Sequence, residues 1–175
     1  RGLGDVYKRQ IMHGAGREDI TTTLNNCYVV GINDDSINSI YKTIQEEART
    51  YKFGGGCGHD LSVLRPSGDA INGTGGESCG PVGFMNLFSE NTNTIAQHGR
   101  RGANMQTLSI DHPDIEKFIE IKTGDVNMVK YSNISVLLTD EFMNAVSKNE
   151  EFDLRYQGKV YKTVNACLLY TSPSP

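Results

Sequence analysis

Residues 27–68 read CYVVGINDDSINSIYKTIQEEARTYKFGGGCGHDLSVLRPSG, and the alternation inside this stretch decides the fold. Cys27 to Gly31 is a short β-branched and aromatic run of the kind that forms a buried strand. Asp34, Asp35 and Ser36 follow as N-cap candidates, because their side chains can accept from the free N–H groups of a first helical turn. Ile37, Ile40, Tyr41, Ile44, Ala48 and Tyr51 then recur at three- and four-residue intervals, which predicts a helix burying one stripe. Gly54-Gly55-Gly56 ends it, since glycine holds helical geometry only at an entropic cost. A second short strand is expected around Leu61–Leu64, closed by the Arg65-Pro66-Ser67-Gly68 turn.

The same rhythm continues outward. Residues 69–78 are rich in Gly, Asn, Thr and Ser and read as a mobile loop. Gly80-Pro81 opens a second helix, with Pro81 suited to a first helical position and Val82, Met85, Phe88 and Ile95 on its apolar face. A strand over Met105–Ile110, a helix from His112-Pro113 through Ile121, a strand over Ile134–Leu138, a helix over Asp140–Ser147 and a last strand over Val160–Val164 complete the series. Strands alternating with helices predict an α/β fold with a parallel sheet.

Composition narrows the classes. The chain has 175 residues, 37% hydrophobic and 22% charged, which fits a globular protein rather than a disordered one. No apolar run approaches the roughly 20 residues that span a bilayer. A net charge of −4 without a lysine- or arginine-rich face argues against direct nucleic-acid binding. No charged-then-apolar leader opens the sequence, so a cytoplasmic protein is expected. The first ten residues, RGLGDVYKRQ (1–10), and the last nine, CLLYTSPSP (167–175), share no periodicity with their neighbours. Both read as non-native, adapter-like tails and are set aside, leaving 11–166. Cys27, Cys57 and Cys79 within that segment are expected to be reduced thiols rather than a disulfide framework.

Three polar clusters could carry chemistry. Cys27, after Leu24-Asn25-Asn26, is either a small buried hydrophobe or a thiol lining a cleft at a strand end. Gly54-Gly55-Gly56-Cys57-Gly58-His59-Asp60 is either a tightly packed helix end or a backbone cradle for phosphate. It lacks both the Walker and the GxGxxG patterns, and His59 has no metal-ligand spacing around it. Gln97-His98-Gly99-Arg100-Arg101-Gly102-Ala103-Asn104 is either a solvated loop or an arginine pair for phosphate or a base edge. Together the clusters suggest a nucleotide site.

The ordered motifs go further. Asn26-Cys27-Tyr28-Val29-Val30, Asp35-Ser36-Ile37, Gly54-Gly55-Gly56-x-Gly58, Leu64-Arg65-Pro66-x-Gly68, Gly80-Pro81-x-x-Phe84-Met85, Gln97-x-Gly99-Arg100-Arg101-Gly102-Ala103, His112-Pro113-Asp114 and Asn133-Ile134-Ser135-Val136 resemble the catalytic subunit of ribonucleotide reductase. The last two arginine- and asparagine-bearing stretches are most similar to the adenosylcobalamin-dependent, class II branch. The resemblance implies a ten-stranded α/β barrel of two five-stranded halves, with 11–166 a fragment of the first half that carries the effector-site loops. It implies reduction of ribonucleotides to deoxyribonucleotides. A thiyl radical removes the 3′-hydrogen, water leaves from C2′, and a cysteine pair supplies two electrons.

On that resemblance Cys27 is one redox thiol, and Asn26 and Gly56 contact substrate. Asp34 or Asp35, with Ser36 and Arg65, holds a nucleoside triphosphate effector, a deoxynucleotide or ATP. An extra residue between Cys27 and the Asp-Ser pair leaves the choice of aspartate open. Gln97, Arg100 and Arg101 belong to the loop that relays effector identity to substrate choice. Adenosylcobalamin, a thioredoxin- or glutaredoxin-type reductant and a homodimer are implied as well; cobalamin-binding residues are not identifiable. Alternatives are a class I large subunit with a separate radical-generating subunit, or a stand-alone nucleotide-binding regulatory module. The radical cysteine and the second redox cysteine are expected beyond Ala166. Purified 11–166 should therefore form no deoxynucleotide in a product assay, and detectable product would contradict the reading.

Overall fold

The expected alternation is realised in β1 (Cys27–Val29), α1 (Ile37–Lys52), β2 (Gly56–Asp60), α2 (Gly80–Thr94), β3 (Asn104–Ser109), α3 (Ile115–Glu120), β4 (Ser132–Leu137), α4 (Asp140–Lys148), β5 (Glu151–Tyr156), β6 (Lys159–Asn165) and α5 (Ala166–Tyr170). The computed structural model describes residues 25, 27–95, 102–122 and 128–171. The first four strands form one parallel sheet in the order β1-β2-β3-β4. A strand order that never reverses, joined by right-handed crossovers, lays every connecting helix on the same face. Burial follows that rule. Cys57, His59, Asn104, Gln106, Leu108 and Ser132 lie buried on the helical face, while Cys27, Val29, Met105, Asn133 and Ser135 on the other face are exposed.

Helix α1 begins where its caps direct. Ser36 is the N-cap, its hydroxyl accepting from the Ser39 N–H at 3.1 Å. The helix ends at Lys52, where Gly54 adopts φ +85° and its N–H bonds the Tyr51 carbonyl. The buried stripe is rotated from the expected one: Ser39, Ile40, Thr43, Glu47 and Tyr51 face inward, whereas Ile37 and Tyr41 are exposed. Hydrogen bonding, rather than apolarity, lets Thr43 and Glu47 go inside.

Three expectations need correction. The Cys27–Gly31 run is not a buried strand: among the described residues β1 lies at the edge of the sheet and nothing packs over its outer face, so Val29 is 90% exposed. The second strand is Gly56–Asp60, not Leu61–Leu64, which turns instead and buries both leucines. Its parallel pairing to β1 and β3 holds the glycines extended. The expected last strand is present as β6, but the parallel expectation does not extend to it: β6 pairs antiparallel with β5 across Gln157 and Gly158, whose φ values of 48° and 80° suit a two-residue hairpin turn. The loop 69–78 is tied at its base by the Gly68–Ser78, Asp69–Ser78 and Ala70–Glu77 pairings. Residues 167–170, set aside as tail, lie in α5, where Leu169 is buried against the main cluster. Among the described residues no helix is long and apolar enough to cross a membrane.

The helical face carries a polar centre. The Glu47 carboxylate is fully buried and accepts from Tyr51 Oη (2.5 Å), His59 Nε2 (3.0 Å), Asn104 Nδ2 (2.5 Å) and Asn91 Nδ2 (2.6 Å). His59 Nδ1 faces the Val30 carbonyl at 2.9 Å, which ties the ring to the end of β1 as well as to Glu47. Burial, and then Glu47, pushes the Tyr51 phenol well above its ordinary value, so it stays a donor. Apolar contacts close around the centre, with the His59 ring 4.8 Å from Phe88. Glu47→Ala should cost about 3–5 kcal/mol, since three donors and an imidazole lose their acceptor. Urea unfolding reads it, and an unchanged midpoint would contradict the account.

Candidate functional site

In a parallel sheet all strand starts lie at one end and all strand finishes at the other, and the expected site residues divide between these ends. Cys27 and Gly56 are the first residues of β1 and β2 and are register partners. Partners in register share a face, so both lie on the face away from the helices, where Cys27 is exposed and Gly56 is buried. Cys27 is an exposed free thiol there, which favours the cleft-lining alternative over the buried one. Cys57, one residue past Gly56, turns to the helical face and is buried. Burial pushes its thiol up to about 12, against the Thr50 hydrogen bond, so it is a packing residue and no nucleophile at neutral pH. Cys79 is exposed at the start of α2 and makes no side-chain cap. Asn26 lies outside the described residues, as do Gln97, Arg100 and Arg101.

The glycine cluster is a helix end rather than an open cradle at its first two positions. The Phe53, Gly54 and Gly55 N–H groups are all spent on the last turn of α1, on the Thr50 and Tyr51 carbonyls. A Cβ at Gly55 would stand 2.7 Å from Thr50 and 2.9 Å from the Tyr28 ring, so the close approach requires glycine.

At the other end, the loops leaving β1 and β2 meet. Arg65 Nε donates to Asp35 Oδ2 at 2.5 Å, and its other nitrogens reach the carbonyls of Ala70 (2.9 Å) and Asp35 (3.4 Å). Asp35 is thus the aspartate that meets Arg65. The Asp34 backbone N–H is engaged by Ser39 Oγ at 3.2 Å, and the residue is exposed. The Ser36 hydroxyl is occupied as a cap. Asp35, Ser36 and Arg65 are therefore adjacent, and Cys27 and Gly56 lie at the opposite end of the same two strands.

The turn at 112–114 holds the arginine from below. His112 Nε2 donates to the Leu64 carbonyl at 2.9 Å, and its Nδ1 accepts from the Asp114 N–H at 3.0 Å. Asp114 accepts from Ser67 N (2.7 Å) and Ser67 Oγ (2.6 Å). Gly80 packs against this carboxylate, where a Cβ would stand 2.3 Å from Asp114 Oδ2. The His112-Pro113-Asp114 motif is visible in the sequence, but its task of fixing both sides of Arg65 is not. Glu47 was missed outright, because a hydrophobic-stripe reading discards polar positions.

Among the described residues no group of three His, Cys, Asp or Glu side chains could hold a metal ion. The described histidines, His59 and His112, have both ring nitrogens bonded, so neither offers a ligand to a cobalt centre. The described residues do not build a corrin site.

Comparison with known proteins adds an independent line. The family model for the ribonucleotide reductase barrel domain matches residues 25–168. A vitamin B12-dependent ribonucleoside-diphosphate reductase from Thermoplasma acidophilum is 41% identical over 132 residues, 75% of this chain and 17% of the relative. A protein of the same description from Mycobacterium tuberculosis is 39% identical over 127 residues, 72% of this chain and 18% of the relative. A ribonucleoside-diphosphate reductase subunit alpha from Chlamydia muridarum is 37% identical over 105 residues, 58% of this chain and 10% of the relative. The chain therefore spans less than a fifth of these relatives' length.

Burial holds the His112 imidazole below its ordinary value despite Asp114, Asp111 and Asp60 nearby. The unfolded chain then binds the proton first, so this contribution to stability is complete above about pH 6.5 and is lost as the pH falls. His112→Gln should flatten that part of the pH dependence of the urea midpoint. An unaltered slope below about pH 6.5 would contradict the assignment.

Proposed function

The chain belongs to the ribonucleotide reductase barrel-domain family, and from that premise we propose that it is one wall of the catalytic barrel of a vitamin B12-dependent ribonucleoside-diphosphate reductase. The observation that carries this reading is the face of the parallel sheet that no described residue covers. Parallel sheets are ordinarily covered on both sides, and here the helices take one side while Cys27, Met105, Asn133 and Ser135 stand open on the other. In a barrel that face is the interior, where further strands of the full-length protein close over a substrate.

The chemistry assigned to this segment is small and specific. A ribonucleotide and two thiols become a deoxyribonucleotide, a disulfide and water. The 2′-hydroxyl leaves as water, and the electron pair comes from the two sulfurs as they join. Cys27 supplies one thiol from the start of its strand, on the face turned to the substrate, and an external dithiol reduces the resulting disulfide by thiol exchange. Gly56, its register partner, lets the substrate approach the backbone beside it. Adenosylcobalamin, the cofactor indicated by the names of the relatives matched over most of the chain, would supply the radical, and its site belongs to parts of the protein outside the described residues. The residues here bind and orient the ribose and donate the thiol.

Asp35, Ser36 and Arg65 form the effector site. Arginine keeps its charge at any physiological pH and matches phosphate oxygens bidentately. Asp35 is then free to read the sugar or base once phosphate takes its place on the guanidinium. Gln97, Arg100 and Arg101 pass effector identity to the substrate end, and a thioredoxin-type reductant and a homodimer complete the enzyme. Higher identity over more of the chain favours the B12-dependent reading over a class I large subunit.

In the full-length enzyme, Cys27→Ser should abolish multiple turnover with a dithiol reductant while leaving deoxynucleoside triphosphate binding intact. Sustained turnover by that variant would contradict the assignment.

A further inference from the structure

The segment that bears Arg65 is held on every side, and two of its holders come from the β5–β6 hairpin far along the chain. Tyr156 Oη donates to the Val63 carbonyl at 2.7 Å, and Tyr161 Oη donates to Asp69 Oδ2 at 2.7 Å. Between these points His112 takes the Leu64 carbonyl and Asp114 takes both donors of Ser67. The Arg65 guanidinium, paired with Asp35, thus extends from a backbone fixed on both flanks.

We propose that Tyr156 and Tyr161 are positioning residues for nucleotide binding at Arg65, acting through the 63–69 segment rather than by touching the reacting atoms. The inference rests on the reading of Arg65 as the effector-phosphate arginine.

The hairpin is a credible anchor because it is docked independently of the loop. Phe152 and Leu154 are buried, and the Phe152 ring packs edge-on to Phe142 at 5.0 Å. The Arg155 N–H bonds the Asp111 carbonyl at 2.6 Å, Arg155 pairs with Glu141, and Lys162 pairs with Glu116. Each tyrosine donates its hydroxyl proton to the loop, and Tyr156 Oη in turn accepts from Gln157 Nε2 at 3.3 Å in the hairpin turn. The hydrogen bond to Asp69 pushes the Tyr161 phenol up to about 12, and burial raises Tyr156, so both remain donors at neutral pH.

The physical effect is preorganisation. Ordering a loop residue costs about 1–2 kcal/mol of backbone entropy, and a segment already fixed by folding does not charge that cost to the ligand. Without the two phenols, the Val63 carbonyl and the Asp69 carboxylate lose these partners, and a nucleotide must order more of the segment itself. The hairpin would then set effector affinity without contributing a contact to effector or substrate.

The test uses the full-length enzyme with Tyr156→Phe, Tyr161→Phe, the double variant and Arg65→Ala. Turnover is followed against deoxynucleoside triphosphate concentration, with hydrogen exchange of residues 61–70 in the effector-free protein. Each single Tyr→Phe change should raise the half-activating concentration about three- to tenfold, and exchange over 61–70 should quicken. The effector-free rate, the substrate KM and kcat at saturating effector should stay as in the parent. Arg65→Ala should raise the half-activating concentration further still. If Arg65→Ala weakens activation while the double Tyr variant leaves both activation and exchange unchanged, the positioning role is overturned and the effector reading stands. If Arg65→Ala leaves activation untouched, the effector reading falls and this inference with it.

Discussion

The carboxylate of Glu47 is the constraint on which the rest of this sheet and its helices depend. It is fully buried, and a buried charge is tolerable only when its lone pairs are met. They are met by Tyr51 from the same helix, His59 from β2, Asn91 from α2 and Asn104 from β3. Each bond fixes a different degree of freedom. The pair with His59 sets the roll of α1 over β2, Asn91 sets α2 beside α1, and Asn104 sets the height of both helices above the sheet. His59 extends the set to the carbonyl of Val30, where β1 leaves the sheet. A slip of any one element would strand a donor or the charge itself, so the polar centre gives the packing one answer where apolar contacts alone would allow several.

From that fixed geometry follows the separation of the two candidate regions. The strands run parallel, so Cys27 and Gly56 share one end while the loops to Ser36 and Arg65 share the other. Helix α1 joins them physically: its N-terminus carries the Asp35–Ser36 pair and its C-terminal glycines lead directly into Gly56. Movement at the arginine end has a rigid rod to act through, and the rod is pinned midway by Glu47. The face of the sheet lined by Cys27, Met105, Asn133 and Ser135 is the one on which we propose the substrate lies.

The parts legible in the sequence are those governed by local rules. Ser36 as a cap, Gly54 as a stop, Pro81 in a first turn and the strand–helix rhythm all follow from the chemistry of single residues or short spacings. The family resemblance leaves Asp34 and Asp35 open as partners of the Arg65 region, and the hydrogen bond between residues thirty positions apart falls on Asp35. What escaped reading depends on distant partners. Glu47 reads as one more charge on a helix until four donors from three elements and its own helix surround it. Val29 reads as core until the sheet proves to have a bare side. β5 escaped because Gln157-Gly158 is a less familiar hairpin turn than Asn-Gly, though its positive φ values serve the same end. Tyr156 and Tyr161 reach residues more than ninety positions away.

The separation of the two ends is tested most directly by hydrogen exchange on the full-length protein, with effector and substrate nucleotides added separately. A deoxynucleoside triphosphate effector should protect residues 34–36 and 61–70, and a ribonucleotide substrate should protect 27–29 and 54–58. Effector protection centred on 54–58, or substrate protection centred on 61–70, would contradict the account.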